Sequence, residues 1–283
     1  MATTRGGALI PAAIVDAFVG EGLAGNPAAV CVLKQELSEE QMQSIAAEFN
    51  LSETAFVELD TQPWRLRWFT PEAEVDLCGH ATLATAHVLR TMHDMTMPEL
   101  RFQSRSGVLT VRALDNGLLE LDFPAFAALP TEMPAGLDSA LGARPTAFCE
   151  DRGRNLVLFD APEIVLSLNP DMRKLAALPL RVVCVTAAGM DPRSDAACDY
   201  VVRLFGPSVG VDEDPATGSA QCVLAPYWSE RLGKTSMVSR QLSARGGELH
   251  ARVDGERVRI AGRARTFLRG TIEADTFGRF SLD

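Results

Sequence analysis

Short stretches of alternating hydrophobic and polar residues follow one another along the 283-residue chain, separated by turns that contain glycine, proline or asparagine. Such alternation is typical of β-strands. In the first half we predict strands at residues 10–18, 28–33, 55–59, 64–69, 100–104, 108–114 and 118–123. In the second half we predict them near residue 147 and at 155–159, 164–168, 181–185, 199–205, 236–242, 248–253, 257–260 and 265–272.

A few segments have helical spacing instead. Ser38-Glu39-Glu40-Gln41 fits a capping box at the start of a helix that should end near Asn50, and a short helix is predicted around 172–177. Two further helices, at 79–92 and 221–232, are hydrophobic on all sides, so we expect both to be buried. Many strands with one apolar helix in each half indicate an α+β fold in which sheets wrap about a central helix.

A proline- and alanine-rich segment at 124–134 divides the chain into two parts of similar length. Each part is long enough to bury its own core, and the composition of the segment is typical of a domain boundary. We predict a first domain at 1–124, completed by a C-terminal strand at 272–283, and a second domain at 125–271.

The two halves share a sequence pattern. Arg67, Phe69 and Pro71 coincide with arginine, phenylalanine and proline 136 residues further on, and Val75-Asp76 and Val211-Asp212 keep that offset. After a lengthening of three residues, Cys78-Gly79-His80-Ala81 meets Thr217-Gly218-Ser219-Ala220, and an apolar helix follows in both halves. We interpret this order of features as a duplication.

A duplication of this kind predicts a binding site. If the two copies face each other, the N-termini of two helices point into one cleft, where their unpaired backbone N–H groups can hold an anion. We expect a carboxylate to bind between Gly79-His80 and Gly218-Ser219, because glycine permits the close approach of backbone to ligand.

The composition limits the classes of partner. A net charge of −10 and an isoelectric point near 5.0 argue against nucleic acid and anionic membranes as partners. No run of about 18 apolar residues is present for a membrane span, and no secretory signal is evident. The six cysteines contain no C-x-x-C pair, which suits a reducing compartment and predicts no zinc site. We therefore expect a cytoplasmic protein without a bound metal.

Two residues of the first half are candidates for proton chemistry. Glu53 follows a helix end and precedes the apolar residues Ala55 and Phe56; an apolar wall favours the protonated carboxyl, which suits a group that acts as base and then as acid. His80 lies in the first turn of its helix, where the dipole disfavours the charged imidazole. A solvated strand-end acid and a histidine with only local hydrogen bonds fit the same positions.

In the second half the acids Asp212, Glu213 and Asp214 precede the predicted helix. At least one of them is expected to be a helix cap or a solvated acid, because clustered carboxylates repel one another. Asp214 is nearest to the helix and could orient a polar group of a substrate, whereas Ser219 fits equally well as a hydroxyl bonded to backbone.

Cys78 is the candidate thiol base, because it precedes a helix start. Its counterpart in the repeat is Thr217, so racemisation by one thiol on each face of a substrate carbon is not supported.

Four segments in order resemble the phenazine-biosynthesis PhzF-like family, whose fold is related to that of diaminopimelate epimerase. They are Gly25-Asn26-Pro27-Ala28-Ala29-Val30, Asn50-Leu51-Ser52-Glu53-Thr54-Ala55-Phe56, Cys78-Gly79-His80-Ala81-Thr82-Leu83-Ala84 and Glu213-Asp214-Pro215-Ala216-Thr217-Gly218-Ser219-Ala220. The resemblance covers essentially the whole chain. It implies two pseudo-symmetric domains, each a barrel-like, mostly antiparallel sheet around a central helix, a site in the cleft between them, and a homodimer.

The resemblance also implies roles for particular residues. Glu53 matches the general acid/base of the family, and His80, Asp214 and Ser219 match its groups that orient the substrate. Asn26, Gly79, Thr217 and Gly218 lie within the matching segments and are predicted to line the substrate site. The implied reaction moves a proton between carbons of a small carboxylate-bearing substrate without any cofactor.

Three hypotheses about function follow. The first is a cofactor-independent isomerase with Glu53 as the base. The second is an amino-acid racemase or epimerase that uses Cys78. The third is a non-catalytic member of the fold that binds a small molecule.

Overall fold

The structure, a computed structural model, describes residues 9–151 and 153–273. Its first half contains the strands and helices β1 (Leu9–Val19), β2 (Asn26–Leu33), α1 (Glu39–Phe49), β3 (Glu53–Glu58), β4 (Trp64–Phe69), β5 (Glu74–Val75), α2 (Gly79–Met92), β6 (Glu99–Ser104), β7 (Gly107–Ala113) and β8 (Leu119–Pro124). Its second half contains β9 (Leu129–Pro130), α3 (Leu137–Leu141), β10 (Ala147–Asp151), β11 (Arg154–Leu158), α4 (Pro162–Ser167), α5 (Met172–Ala176), β12 (Val182–Ala188), β13 (Tyr200–Gly206), β14 (Val211–Asp214), α6 (Gln221–Leu232), β15 (Ser236–Gln241), β16 (Gly247–Asp254) and β17 (Arg257–Glu273).

The chain forms two compact units, each composed of separate stretches of sequence. Among the described residues, unit 1 consists of 9–17, 27–121 and 263–273, and unit 2 consists of 18–26 and 122–262. The predicted division at 124 and 271 placed 18–26 in the first domain and 263–271 in the second. In the structure 18–26 belongs to unit 2, where the backbone N–H groups of Ala24 and Gly25 bond to the carbonyls of Arg245 and Gly246 at 2.8 and 2.9 Å. Residues 274–283 of the predicted C-terminal strand lie outside the described residues.

The two units repeat one strand order. In unit 1, β3 is parallel to β2 and antiparallel to β4, and β4 is antiparallel to β5 and parallel to β6. In unit 2, β12 is parallel to β11 and antiparallel to β13, and β13 is antiparallel to β14 and parallel to β15. The helices α2 and α6 follow β5 and β14, and most of their residues are buried. Each unit is thus a barrel-like, mostly antiparallel sheet around one buried helix, which confirms the predicted α+β fold and its pseudo-symmetry.

The register of the strands corrects the predicted alignment of the repeat. Phe69 faces Glu74, and Phe205 faces Glu213. The guanidinium of Arg67 donates from Nε to Glu74 at 2.7 Å, and that of Arg203 donates from Nε to Glu213 at 2.7 Å. The three additional residues of the second copy therefore lie between Pro207 and Glu213, and not after Val211-Asp212. Asp214 is thus the counterpart of Val75 and not of an acid.

The predicted strands differ from the structure at two places. Residues 162–167 form α4 instead of a strand at 164–168. Pro162 at the first turn of α4 favours a helix start, and the parallel pair β11 and β12 needs a crossover connection, which α4 and α5 supply. The strands predicted at 257–260 and 265–272 form the single strand β17. Gly262 lies between the two predicted strands, and glycine is needed there because an added Cβ would lie 2.4 Å from Cδ1 of Phe18.

The first helix has the start that the sequence predicts. Ser38 accepts a hydrogen bond from the backbone N–H of Gln41, and the Gln41 side chain accepts one from the backbone N–H of Ser38. The helix ends at Asn50, which adopts the left-handed conformation with φ 48°. Met42, Ile45 and Ala46 of this helix are buried against strands of unit 1. The helix thereby leads the chain directly to Glu53 at the start of β3.

The buried arginine Arg240 lies between two acidic side chains of unit 2. Arg240 on β15 is 1% exposed and donates from Nη2 to Oε2 of Glu248 at 2.8 Å, while its Nη1 lies 3.9 Å from Oδ2 of Asp191. His250 lies 3.3 Å from the other oxygen of Glu248. Hydrogen bonds with His250 and Arg240 lower the pKa of Glu248 from 4.5 to about 2, and the effect of His250 is the larger one. Burial acts in the opposite direction.

This lowered pKa predicts how stability depends on pH. Because the pKa of Glu248 is lower in the folded than in the unfolded chain, its contribution is fully present above pH 4.5 and is lost as the pH falls towards 2. We expect Glu248→Gln to lose stability on the order of 1–3 kcal/mol at neutral pH and to show a flatter decline between pH 5 and pH 2 than the native chain. Urea unfolding at several pH values measures this difference. The exposed Glu256 provides the control variant Glu256→Gln, and identical pH profiles for both variants would contradict the prediction.

Candidate active site

Glu53 and His80 meet in unit 1. Glu53 is the first residue of β3, where it faces Ala28 of the parallel strand β2, and His80 is the second residue of α2. Nε2 of His80 lies 3.3 Å from Oε2 of Glu53, and the two side chains are 7% and 21% exposed. A strand start and a helix start thus bring together the two residues that the sequence proposed for proton chemistry.

Cys78 completes this group on the other side of the imidazole ring. Its Sγ lies 3.5 Å from Nδ1 of His80. Cys78 is the residue before α2, and its carbonyl accepts hydrogen bonds from the backbone N–H and the hydroxyl of Thr82 at 3.2 and 2.5 Å. These bonds fix the first turn of the helix, so the thiol, the imidazole and the carboxyl form one chain in the order Cys78, His80, Glu53.

Among the described residues, the same three form a group that lies close enough together to be considered as a metal site. One ligand atom from each lies within 4.8 Å of the others, and a thiolate, an imidazole and a carboxylate are ligands that zinc accepts. However, Cys78 contacts Nδ1 and Glu53 contacts Nε2. A single ion can bind only one of the two ring nitrogens, so all three residues could hold it only after a side-chain rearrangement.

Asp214 lies in a second group of polar residues, in unit 2. Its Oδ1 accepts a hydrogen bond at 2.8 Å from Nδ2 of Asn26, which is fully buried. Its Oδ2 accepts one from the hydroxyl of Thr217. Asn26 also donates to the carbonyl of Ala216 at 3.0 Å. Both oxygens of the Asp214 carboxyl are therefore held by protein donors.

Gln241 belongs to this second group, although the sequence analysis did not select it. Its Oε1 accepts from the backbone N–H of Thr217 at 2.8 Å, and its Nε2 donates to the carbonyl of Asp214 at 2.5 Å. The residue is the last of β15 and is fully buried. The predicted strand at 236–242 also contains serine and arginine, so neither its hydrophobic pattern nor a short motif marks Gln241.

The remaining predicted residues of the second group lie immediately before α6. Gly218 and Ser219 form a 3₁₀ turn that leads into α6; Gly218 is buried and Ser219 is exposed. The other two acids of the cluster do not join this group, because Asp212 is exposed in β14 and Glu213 pairs with Arg203. Of these three acids, Asp214 is the one whose carboxyl accepts a hydrogen bond from Thr217.

The corrected register shows which site residues have counterparts in the other unit. Thr54 faces Phe69, and Val183 faces Phe205, so Val182 is the counterpart of Glu53. Thr217 is the counterpart of Cys78, and Ser219 that of His80. The carboxylate, the imidazole and the thiol are thus all features of unit 1, whereas unit 2 carries valine, serine and threonine at the equivalent positions.

Comparison with known proteins identifies the family. The profile of the PhzC-PhzF family, described as phenazine biosynthesis-like protein, matches residues 15–270. An uncharacterized isomerase of Pseudomonas aeruginosa is 50% identical over 250 residues, which cover 88% of this chain and 93% of that protein. A crystal structure of a PhzF-family phenazine biosynthesis protein from Enterococcus faecalis has a TM-score of 0.88 and 41% identity, covering 94% of this chain and 99% of that one.

A more distant structure shares the fold. It is a hydroxyproline epimerase from Agrobacterium vitis, with a TM-score of 0.54 and 11% identity, covering 96% of this chain and 94% of that one. The chain belongs to the PhzC-PhzF, phenazine biosynthesis-like family, and it has the two-domain fold shared with epimerases. It is an enzyme of the isomerase class and not a non-catalytic binding protein. Within the described residues, none of the helices has both the length and the apolar character that crossing a membrane requires.

Proposed function

We propose that the protein is a cofactor-independent isomerase that moves a proton within a small carboxylate-bearing substrate, with Glu53 as the acid/base. The observation that carries this proposal is the contact of 3.3 Å between Glu53 and His80. A half-buried carboxylate beside an imidazole is suited to remove a proton from carbon and to return it. Because Val182 stands at the equivalent position of unit 2, one carboxylate would perform both steps.

Substrate binding is assigned to the helix starts and to the second polar group. In the part of the chain that the structure describes, neither the Cys78 nor the Thr217 side chain accepts a capping hydrogen bond from the helical turn that follows it. Backbone N–H groups near Gly79 and Gly218 would therefore serve a substrate carboxylate. Asn26 and Thr217 hold the carboxyl of Asp214 in a fixed orientation, from which it and Ser219 would orient a substrate amine or hydroxyl. A homodimer and a cytoplasmic location stay predictions.

Hydrogen exchange tests the proposed reaction. Small carboxylic acids that carry an acidic or allylic C–H group are incubated with the protein in D₂O and followed by proton NMR. We expect deuterium to enter at two carbons of an accepted substrate as the double bond moves. A substrate deuterated at the reacting carbon, used in H₂O, should keep part of its deuterium in the product, because one base carries it. Complete exchange with solvent before product forms would contradict transfer by a single base.

A racemase or epimerase that uses Cys78 is the second candidate, because the Cys78 thiol lies 3.5 Å from His80. Two-base racemisation needs a second acid/base group, and Thr217 stands where the second thiol would be. Circular dichroism of the product distinguishes the candidates, since a racemase inverts a stereocentre without moving a double bond. Loss of inversion in Cys78→Ala, together with its retention in Glu53→Gln, would favour the second candidate.

A further inference from the structure

We infer that Cys78 is a positioning residue, whose thiol donates a hydrogen bond to Nδ1 of His80 and thereby keeps the proton of that histidine on Nε2. Both nitrogens of the imidazole ring have a titratable neighbour, with Sγ of Cys78 at 3.5 Å from Nδ1 and Oε2 of Glu53 at 3.3 Å from Nε2. Cys78 is 6% exposed and His80 is also 6% exposed, so water competes little for these contacts.

The donor and acceptor roles follow from the chemistry of the three groups. An ionised carboxylate accepts hydrogen bonds but cannot donate them, so the contact with Glu53 requires a proton on Nε2. A neutral imidazole with its proton on Nε2 can only accept at Nδ1, and the S–H group of Cys78 is a donor at that distance. The alternative is a thiolate beside an imidazolium. That arrangement is recognised by a doubly protonated ring, because the proton of the thiol has moved to Nδ1.

Under the proposed function, His80 lies beside the carboxylate that reacts with the substrate. The C–H proton of the substrate moves to the Glu53 carboxylate, its bonding electrons remain on the substrate as a carbanion or enolate, and the same proton returns from the Glu53 carboxyl to the second carbon. The protons of Cys78 and His80 stay in place during these steps. Threonine, serine and valine at the equivalent positions of unit 2 cannot form this chain.

Nitrogen NMR tests the protonation pattern without any substrate. The protein is labelled with ¹⁵N-histidine, and the signals of His80, one of four histidines, are assigned by their loss in His80→Gln. We expect a protonated Nε2 and an unprotonated Nδ1 in the native chain. Cys78→Ala should shift the ring towards a mixture of both tautomers, whereas Cys78→Ser should keep the native pattern because its hydroxyl can donate. Cys149→Ala, a buried cysteine of unit 2, is the control and should leave the His80 signals unchanged.

Three results would overturn the inference. They are a proton on Nδ1 of His80 in the native chain, a doubly protonated ring at neutral pH, and an unchanged His80 pattern in Cys78→Ala. The spectra do not depend on the reaction, so they remain decisive even if Glu53 is not the base.

The consequence for catalysis rests on the proposed function and is measured separately. With a substrate found by deuterium exchange, we expect kcat of Cys78→Ala to fall about tenfold, as for the loss of one hydrogen bond, with little change in KM. Cys78→Ser should recover most of this rate. A native rate for Cys78→Ala would contradict the catalytic part of the inference. A native rate for Glu53→Gln would contradict the proposed function but not the hydrogen bond between Cys78 and His80.

Discussion

Glu53→Gln is expected to lower the rate of proton transfer by about 10²–10⁴-fold, the usual contribution of a general base. The amide has nearly the same shape as the carboxyl and can keep the contact with Nε2 of His80, but it cannot take a proton from carbon. The substrate should therefore still bind. Solvent-deuterium incorporation and product formation are measured by NMR for native and variant protein at equal concentration.

Glu58→Gln is the matched control for this experiment. Glu58 is the last residue of β3, the strand that Glu53 begins, and its nearest ion pair is with Arg65 at 3.6 Å. The control removes a carboxylate from the same strand without touching His80, and it should exchange deuterium at the native rate. Exchange by Glu53→Gln as fast as by the control would show that another group is the base.

Phe18→Ala is expected to cost about 3–5 kcal/mol of the free energy of unfolding, the range for removing a fully buried phenylalanine. Phe18 has no exposed surface. Its ring fills the space beside two glycines, because an added Cβ at Gly262 or Gly218 would lie 2.4 or 3.0 Å from it. The residue also has φ 60°, a left-handed conformation that is costly for phenylalanine and alanine alike, so the expected loss comes from packing. Urea unfolding followed by far-ultraviolet circular dichroism measures the loss.

The same substitution at an exposed phenylalanine is the control, because it removes the same side chain from a position where that side chain is not packed in a core. Phe267 on β17 is 73% exposed, so Phe267→Ala should change the unfolding free energy by about 0.5 kcal/mol or less. Because Phe18 packs against Gly218 at the approach to α6, its loss should also disturb the backbone that carries Thr217 and Ser219. Equal effects of the two substitutions would show that the Phe18 ring is not a core element of unit 2.

Local sequence patterns predicted most of the secondary structure, and the reason is visible at particular residues. The capping box at Ser38 and the apolar helices at 79–92 and 221–232 depend on contacts within a few positions, and the structure confirms all three. The prediction at 164–168 was wrong because the choice between helix and strand there depends on the crossover between β11 and β12. That requirement lies outside the segment itself.

The sequence determined the family, the α+β class, the duplication and the identity of Glu53 and His80 as candidates, because short motifs and hydrophobic spacing carry this information locally. The tertiary structure decided the partners of these residues: Cys78 on one nitrogen of His80 and Glu53 on the other, and Asn26 on Asp214, 188 positions away. It also placed the length difference of the repeat before Glu213, and the pairing of β3 with β4 and of β12 with β13 makes Val182 the counterpart of Glu53. Such pairings depend on strand register and on contacts between distant segments, which no local pattern specifies.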